Sequence, residues 1–234
     1  MGETRLLSGT EHILNLGKYE PEFRIKWKPI IFSFSLSSKE KNDKKTMSQR
    51  QSKVEKYDMK TLETFVPSTT HVVASKRNTA IGLQALVNGR YIVTEAYLDA
   101  VAGACESVDG KKSALEEDFV KNWPNPMDYL PASSNEPVPR EKEYFVPNFE
   151  RQSIFEGWTF IFCETVQFEN FLGLITDGGG KLEKYNLIPG ETTARRLVDF
   201  IEKRDKGNTA VVRFRGKSDT EEWCARLSTE VSQM

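Results

Sequence analysis

The most regular pattern of apolar and polar positions lies between residues 69 and 100, where short apolar runs alternate with segments of helical periodicity. Residues 70–74 form a β-branched apolar run that is too short for a helix, which favours a strand buried in a parallel sheet. A second such run, residues 91–93, follows the Asn88-Gly89 pair, which is typical of a helix end. The pattern predicts strand, helix, strand and helix, and therefore a small parallel sheet with helices on its faces.

The helices of this segment have recognisable starts. Asn78 or Thr79 can cap the first helix, and Thr94 can cap the second. Apolar groups recur at helical spacing in both helices. They are Ile81, Leu83, Leu86 and Val87 in the first helix, and Tyr97, Leu98, Val101, Ala102 and Cys105 in the second.

A divergent copy of the pattern follows in the second half of the chain. Residues 157–163 predict a strand, 167–176 a helix, and 177–187 a glycine-rich turn with a second strand. Residues 211–214 predict a third strand and residues 220–231 a helix. Between the copies, residues 122–143 hold prolines at positions 124, 126, 131, 137 and 139, which predicts an extended, non-helical linker.

Composition excludes several classes of protein. The chain of 234 residues is 38% hydrophobic and 29% charged, as expected of one or two globular domains, and its apolar runs are too short to span a membrane. Its three cysteines, Cys105, Cys163 and Cys224, are widely spaced and predict neither a disulfide framework nor a metal cluster. With 33 basic against 34 acidic residues, the net charge of −1 argues against broad electrostatic capture of a nucleic acid.

The inventory of reactive groups predicts that the chain is not an enzyme and needs no cofactor. Only His12 and His71 could act as acid-base groups near neutral pH, and His71 falls inside a predicted buried strand. The sequence contains no HExxH, CxxC or GxSxG motif.

The segment of residues 69–100 resembles the second half of a BRCT domain. BRCT domains carry a Thr-His-Val strand, a helix with a Thr near its start, a Gly before the next strand and an aromatic residue in the last helix, and the matching residues are His71, Thr79, Gly89 and Tyr97. A second BRCT-like copy begins at Gly157. The predicted fold class is therefore α/β, with two BRCT-type domains.

Residues 8–35 resemble the closing strands of an FHA sandwich running into the first BRCT copy, and the order FHA-BRCT-BRCT resembles the nibrin family, its fungal type above all. The resemblance implies an FHA remnant over residues 1–28, a first BRCT domain over 29–106, a linker over 107–151 and an incomplete second BRCT domain over 152–234. We expect a fragment that lacks most of the FHA domain and the carboxyl-terminal tail. Leu6, Leu14, Leu16, Phe23 and Ile25 should then be left uncovered.

What the resemblance implies for function is a non-catalytic adaptor of double-strand-break repair. Such a protein would lie in the nucleus at chromosomal break sites and serve checkpoint signalling, meiosis and telomere maintenance. Its implied partners are the nuclease and ATPase subunits of the MRN repair complex, which mostly contact regions outside this chain, and phosphorylated repair and checkpoint proteins. It would meet DNA indirectly and would not bind membranes.

BRCT domains bind phosphate through a hydroxyl at the end of the first strand, a backbone N–H in the glycine turn and a helix lysine, and the first copy matches this pattern in part. Ser35 takes the hydroxyl position, with Ser33 and Ser37 as register alternatives. Ile81 stands at the lysine position and provides no charge. Lys76 or Arg77, about one turn earlier, could replace the lysine or could simply be solvated charges.

In the second copy, Thr165 is the candidate hydroxyl, and Gly178 and Gly179 are the candidate phosphate-binding glycines. These glycines can equally end the preceding helix and admit a tight turn. Arg195 or Arg196 is a candidate cation by position alone.

Two alternative functions stay open at this point. The BRCT pair could be a structural module that orients the FHA domain without binding a ligand, which Ile81 favours. The lysine-rich segment from Lys39 to Lys45 could instead bind DNA ends weakly, although a solvated helix face explains it equally well.

Overall fold

The computed structural model describes residues 8–18, 21–204, 208–216 and 219–233. They form an amino-terminal hairpin and two α/β units joined by a long connecting segment. Leu6, one of the residues predicted to be uncovered, lies outside the described residues.

The hairpin consists of strands β1 (Glu11–Leu14) and β2 (Phe23–Lys26), which pair antiparallel with Glu11 opposite Lys26. Its apolar side chains are uncovered, as predicted: Leu14, Leu16, Phe23 and Ile25 are all exposed, and so is Ile13. An antiparallel strand pair is consistent with an FHA remnant. The assignment of residues 1–28 to an FHA domain stays a prediction.

The first α/β unit has a four-stranded parallel sheet in the order β4-β3-β5-β6. Its strands are β3 (Ile31–Phe34), β4 (Lys60–Leu62), β5 (His71–Val73) and β6 (Tyr91–Val93). Its helices are α1 (Ser38–Asn42), α2 (Lys44–Glu55), α3 (Ala80–Val87) and α4 (Glu95–Cys105). The strands and helices predicted between residues 69 and 100 are all confirmed.

Both faces of this sheet are buried, because alternate residues of each strand point to opposite sides. On one face Phe32 and Phe34 pack with α2 and α4, whose Tyr97, Leu98 and Val101 are fully buried. On the other face Val72 and Ile92 pack with Ala85 of α3. Thr79 caps α3 by accepting a hydrogen bond from the Gly82 N–H at 3.0 Å, whereas Thr94 begins α4 without a side-chain cap.

The connecting segment is packed against the first unit and is not an extended linker, which corrects the prediction. It contains short helices α5 (Ala114–Glu117) and α6 (Phe119–Asn122), followed by 3₁₀ turns at Pro126–Tyr129, Lys142–Phe145 and Phe149–Ser153. The Thr94 N–H donates to the Tyr129 carbonyl at 2.8 Å, and Phe145 is buried against the face that carries α3. Proline excludes long helices, but these tertiary contacts decide where the segment lies.

The second α/β unit has a three-stranded parallel sheet in the order β8-β7-β9. Its strands are β7 (Thr159–Phe162), β8 (Lys181–Lys184) and β9 (Thr209–Val211). Its helices are α7 (Thr165–Asp177), α8 (Ala194–Glu202) and α9 (Glu221–Gln233). The third strand ends earlier than predicted, so that Phe214 lies in the loop after β9 and packs in the core with Leu197 and Leu227.

Helices α3 and α7 join the two units. The Asp177 carboxylate at the end of α7 accepts hydrogen bonds from Gln84 Nε2 at 2.8 Å and Asn88 Nδ2 at 2.7 Å. Gly173 of α7 lies so close to Gln84 that an added Cβ would meet its side-chain nitrogen at 2.4 Å. The α/β fold with small parallel sheets flanked by helices, predicted from the sequence, is confirmed.

Candidate functional site

The hydroxyl predicted to bind phosphate in the first copy lies directly after β3, one of the two central strands of the sheet. The Ser35 hydroxyl donates to Thr79 Oγ1 at 2.9 Å, and the Ser35 N–H donates to the Val73 carbonyl at 2.8 Å. Thr79 Oγ1 also accepts from the Gly82 N–H, so the proton of the Thr79 hydroxyl remains for another acceptor. The two hydroxyls therefore form a short chain at the start of α3.

The register alternatives have other partners. Ser33 is fully buried within β3, where its hydroxyl pairs with Thr69 Oγ1 at 2.8 Å. Ser37 caps α1 in a capping box with Glu40, whose Oε2 accepts from the Ser37 hydroxyl at 2.7 Å. Ser35 is thus the member of the three whose place at the strand end fits the predicted role.

Ser35 lines a cavity of about 350 Å³ at the carboxyl ends of β3, β5 and β6. This is the edge of an open parallel sheet at which ligands generally bind. Arg50 of α2 also lines the cavity, but its guanidinium bonds Glu40 and Glu95 at 3.0 Å each. Burial alone would lower the pKa of Arg50, yet the hydrogen bonds to Glu95 and Glu40 raise it. Arg50 therefore connects α1, α2 and α4 as part of the fold.

Ile81 stands at the lysine position of the first copy, and its surroundings in the structure are apolar. Ile81 is half-buried and packs against the cluster that contains Ala85 and Phe145. Its side chain thus contributes to the face that holds α3, and a positive charge is missing at this point.

Arg77 is not placed to replace that lysine, which corrects one of the candidate residues. Its guanidinium is buried and forms a two-pronged pair with Glu136 of the connecting segment, and it donates to the Arg140 carbonyl at 3.1 Å. It also stacks over the Phe145 ring at 4.4 Å from the centroid. The hydrogen bond from Arg77 lowers the pKa of Glu136, which keeps the pair ionised.

Lys76 remains as a candidate cation. It is exposed in the loop between β5 and α3, next to Ser75, which lines the same cavity as Ser35.

In the second copy, the two glycines act in the fold, which corrects their assignment to phosphate. The Gly178 and Gly179 N–H groups donate to the Leu174 and Thr176 carbonyls, so both amides are used in ending α7. A Cβ at Gly178 would lie 2.4 Å from the Phe155 ring, and Gly179 has a φ of +81°. Close packing and a left-handed turn therefore require glycine at these positions.

The other second-copy candidates do not come together. Thr165 is exposed at the start of α7 and lines a cavity at the carboxyl edge of the second sheet. Arg195 pairs with Asp199 at 2.8 Å on α8, and Arg196 donates to the Glu191 carbonyl at 3.0 Å. Neither arginine is among the described residues that line that cavity.

The lysine-rich segment forms α1 and the start of α2, with Lys39, Lys41, Lys44 and Lys45 exposed. Its two acidic residues act as caps: Glu40 bonds Ser37 and Arg50, and Asp43 accepts from the Thr46 N–H at 3.1 Å.

Within the described ranges, the structure shows neither a candidate metal site nor a candidate membrane-spanning helix. No group of three or more His, Cys, Asp or Glu side chains comes together there to hold a metal ion. Nor does any helix in that part of the chain have the length and apolar character needed to cross a membrane.

Comparison with known proteins agrees with this architecture. Residues 149–234 match the family model described as the second BRCT domain on Nijmegen syndrome breakage protein. The FHA-BRCT1-BRCT2 structure of S. pombe Nbs1 superposes with a TM-score of 0.54 at 14% identity, over 97% of this chain and 68% of that one. The S. pombe Nbs1–Ctp1 complex gives a TM-score of 0.47 at 16% identity, over 97% and 68%.

The fold and the strand-edge cavity define a protein with two BRCT-type domains. Its carboxyl-terminal unit, residues 149–234, is a second BRCT domain of the nibrin type. The resemblance to the nibrin family that the sequence indicates is confirmed for residues 149–234.

Sequence reasoning missed several residues that shape the sites. The pairing of Arg77 with Glu136 joins residues far apart in sequence, and no local pattern signals it. Cys163 was recoverable, because it follows β7 directly, as Ser35 follows β3. Thr165, the predicted hydroxyl, lies two residues further along the chain.

Proposed function

We propose that the protein is a non-catalytic adaptor of nuclear DNA double-strand-break repair and checkpoint signalling, which links the MRN nuclease complex to phosphorylated proteins at breaks. The observation that carries the proposal is the nibrin-type second BRCT domain held against a complete first BRCT sheet. The hydrogen bonds of Asp177 to α3 support a fixed relation between the two domains, as a scaffold needs.

The phosphate-binding part of the proposal rests on the first-copy cavity. Ser35 and Thr79 provide a hydroxyl chain at the strand edge, and Lys76, an exposed lysine next to the cavity residue Ser75, is the candidate cation. A phosphate carries about −1.5 to −2 charges at neutral pH, and a hydrogen bond to a charged group contributes about 1.5–3 kcal/mol. Since Ile81 occupies the lysine position, we expect weak but phosphate-dependent binding.

Titration calorimetry with a phosphoserine peptide and its unphosphorylated twin tests this site. Ser35→Ala or Lys76→Ala should weaken binding of the phosphopeptide about tenfold to a hundredfold, because one charge-assisted contact is lost. Ile81→Lys should strengthen it by a similar factor. Lys111→Ala is the matched control, because Lys111 is an exposed lysine of the connecting segment and should leave the affinity unchanged.

A structural module is the second candidate function. It is favoured by the apolar Ile81, by the pairing of Arg77 with Glu136, and by the use of the Gly178 and Gly179 amides inside the fold. In this case the BRCT pair orients a neighbouring domain and binds no phosphate. Equal affinity of all forms, including Ile81→Lys, for the two peptides would establish this candidate and reject the first.

Direct DNA binding through Lys39, Lys41, Lys44 and Lys45 would give a different signature. Contacts with several phosphates release counterions, so the affinity would fall steeply with salt. A salt slope that vanishes when these four lysines are replaced by Gln would identify this activity.

A further inference from the structure

A cavity of about 410 Å³ opens at the carboxyl edge of the second sheet. It lies between the end of β7, the start of α7 and the loop that leads from β9 to α9. Residues 217–218 of that loop lie outside the described residues. Apolar walls come from Leu187, Phe214 and the half-buried Trp223.

This cavity is the counterpart of the Ser35 cavity in the first domain. Cys163 follows β7 as Ser35 follows β3, and each of these strands is flanked on both sides by parallel neighbours. Thr220 precedes α9 as Thr79 precedes α3. The two edges nevertheless differ in chemistry. The second has a thiol in place of the serine, and the described residues that line it provide no counterpart of Arg50, which pairs with Glu40 and Glu95 at the first edge.

The described residues that line this second cavity include two carboxylates, those of Glu164 and Asp219. One oxygen of Glu164 accepts hydrogen bonds from the Arg215 N–H at 2.6 Å and the Gly216 N–H at 3.3 Å, which fixes the carboxylate at the cavity wall. Asp219 adds a second, exposed carboxylate. No lysine or arginine is found among the described residues that line the cavity.

The thiols add apolar surface to the same walls. Cys163 and the buried Cys224 both line the cavity. Burial raises the pKa of Cys163 to about 12, with Cys224 and Glu164 nearby adding to the effect, so the thiol is neutral at physiological pH.

We propose that this cavity binds a basic side chain, arginine or lysine, of a peptide partner. The aliphatic stem of such a side chain would pack along Leu187 and Phe214, and its cationic head would lie between the Glu164 and Asp219 carboxylates. Trp223 can add a cation–π contact. The inference does not depend on phosphate binding by the first domain; if both hold, the two cavities recognise opposite charges on their partners.

Nuclear magnetic resonance titration with N-acetyl-arginine methylamide tests the proposal. The neutral isostere N-acetyl-citrulline methylamide is the matched probe, since it keeps the shape and loses the charge. The chain has four tryptophans, so the Trp223 indole signal can be assigned by its loss in Trp223→Leu. We expect arginine, and not citrulline, to shift the signals of Trp223 and Gly216.

Replacing a cavity carboxylate should weaken the arginine probe about twofold to fivefold, as expected for a solvent-accessible ion pair. Asp219→Asn is the safer variant, because Asp219 is exposed, whereas Glu164→Gln also alters two backbone hydrogen bonds. Glu222→Gln is the control, since Glu222 lies next to Trp223 and does not line the cavity. Equal shifts with citrulline, no shift of Trp223, or equal losses in Asp219→Asn and Glu222→Gln would each overturn the proposal.

Discussion

At the scale of single residues, His71 illustrates how a potential acid-base group becomes a core residue. Its ring lies 5.3 Å from that of Phe32, 5.3 Å from that of Tyr91 and 5.2 Å from that of Tyr97. Its Nδ1 pairs with the Thr70 hydroxyl at 2.9 Å. Burial lowers the pKa of His71 to about 4, so the ring is neutral in the folded protein at physiological pH.

Stability should therefore depend on pH through His71. The unfolded chain binds this proton below a pKa of about 6.5, whereas the folded chain resists it until about pH 4. The stabilising effect is complete above the unfolded pKa and is lost as the pH falls towards the folded pKa. We expect the free energy of unfolding to drop by about 2 kcal/mol between pH 7.5 and pH 5, measured by urea denaturation.

His71→Gln should remove this slope, although it will also lower stability at every pH. His12→Gln is the control and should keep the slope. The window stops at pH 5 because the carboxylates with lowered pKa values, Glu40 and Glu136 among them, lose their stabilising effect only at lower pH. An unchanged slope in His71→Gln would contradict the argument.

The pairing of Arg77 with Glu136 makes a second prediction at this scale. Because both side chains are nearly inaccessible, Arg77→Met should leave Glu136 without its partner and release the connecting segment. Limited proteolysis within residues 131–141 should become about tenfold faster, which corresponds to about 1.4 kcal/mol of easier local opening. Arg140→Met is the control, since the Arg140 side chain stacks on the exposed Tyr144. Equal cleavage rates in the two variants would show that the pair does not hold the segment.

At the scale of elements, two glycines of the first domain should respond in opposite ways to the same substitution. Gly89, at the end of α3, has a φ of +61°, and an added Cβ would lie 3.0 Å from the Phe149 ring and 3.1 Å from the Asn148 backbone. Gly103 lies within α4, with nothing within 4 Å of an added Cβ. Gly89→Ala should cost about 1–2 kcal/mol, and Gly103→Ala should stabilise by about 0.5–1 kcal/mol.

Thermal and urea denaturation of the two variants check this prediction. A loss of stability in both would show that α4 needs flexibility at Gly103. A neutral Gly89→Ala would show that the contact with Phe149, and with it the junction to the second domain, is not tight.

The elements that could be predicted from the sequence are those with local causes. The strand at residues 71–73, the Thr79 cap and the Gly89 ending follow from β-branched runs and capping chemistry over a few residues. The β7–α7 unit was predicted for the same reason.

What could not be predicted depends on contacts distant in sequence. The position of the Pro-rich segment is set by two contacts. Glu136 pairs with Arg77, which lies 59 residues away in sequence, and Phe145 packs in the core of the first domain. The role of the Gly178 and Gly179 amides likewise depends on Phe155 packing against the turn, which only the folded chain shows.

At the scale of the whole molecule, the contacts of Asp177 fix the second domain against the first through α3 and α7. The two strand-edge cavities are therefore held in a constant relation, so a partner that fills both must present its groups at a matching separation. A scaffold built this way gains affinity from preorganisation, because little ordering remains for the binding step.

The exposed apolar surface of the hairpin leads to the last prediction. Leu14, Phe23 and Ile25 share one face of the hairpin and are between 38% and 45% exposed, and Trp27, just after β2, is 51% exposed. Contiguous apolar surface of this kind favours association. We expect this chain to self-associate with rising concentration in analytical ultracentrifugation. Replacing Leu14, Phe23 and Ile25 by Thr, which keeps strand propensity, should weaken association at least about tenfold, because each buried side chain contributes about 1.5–3 kcal/mol.

Leu172→Thr is the control for that experiment, since Leu172 is similarly exposed, at 45%, but lies on α7 of the second domain. Its effect on association should be small if the chain associates through the hairpin. A chain that stays monomeric at all concentrations would mean that the exposed apolar side chains of the hairpin do not drive association. The prediction that they are the uncovered part of a larger sandwich would then lose its physical support.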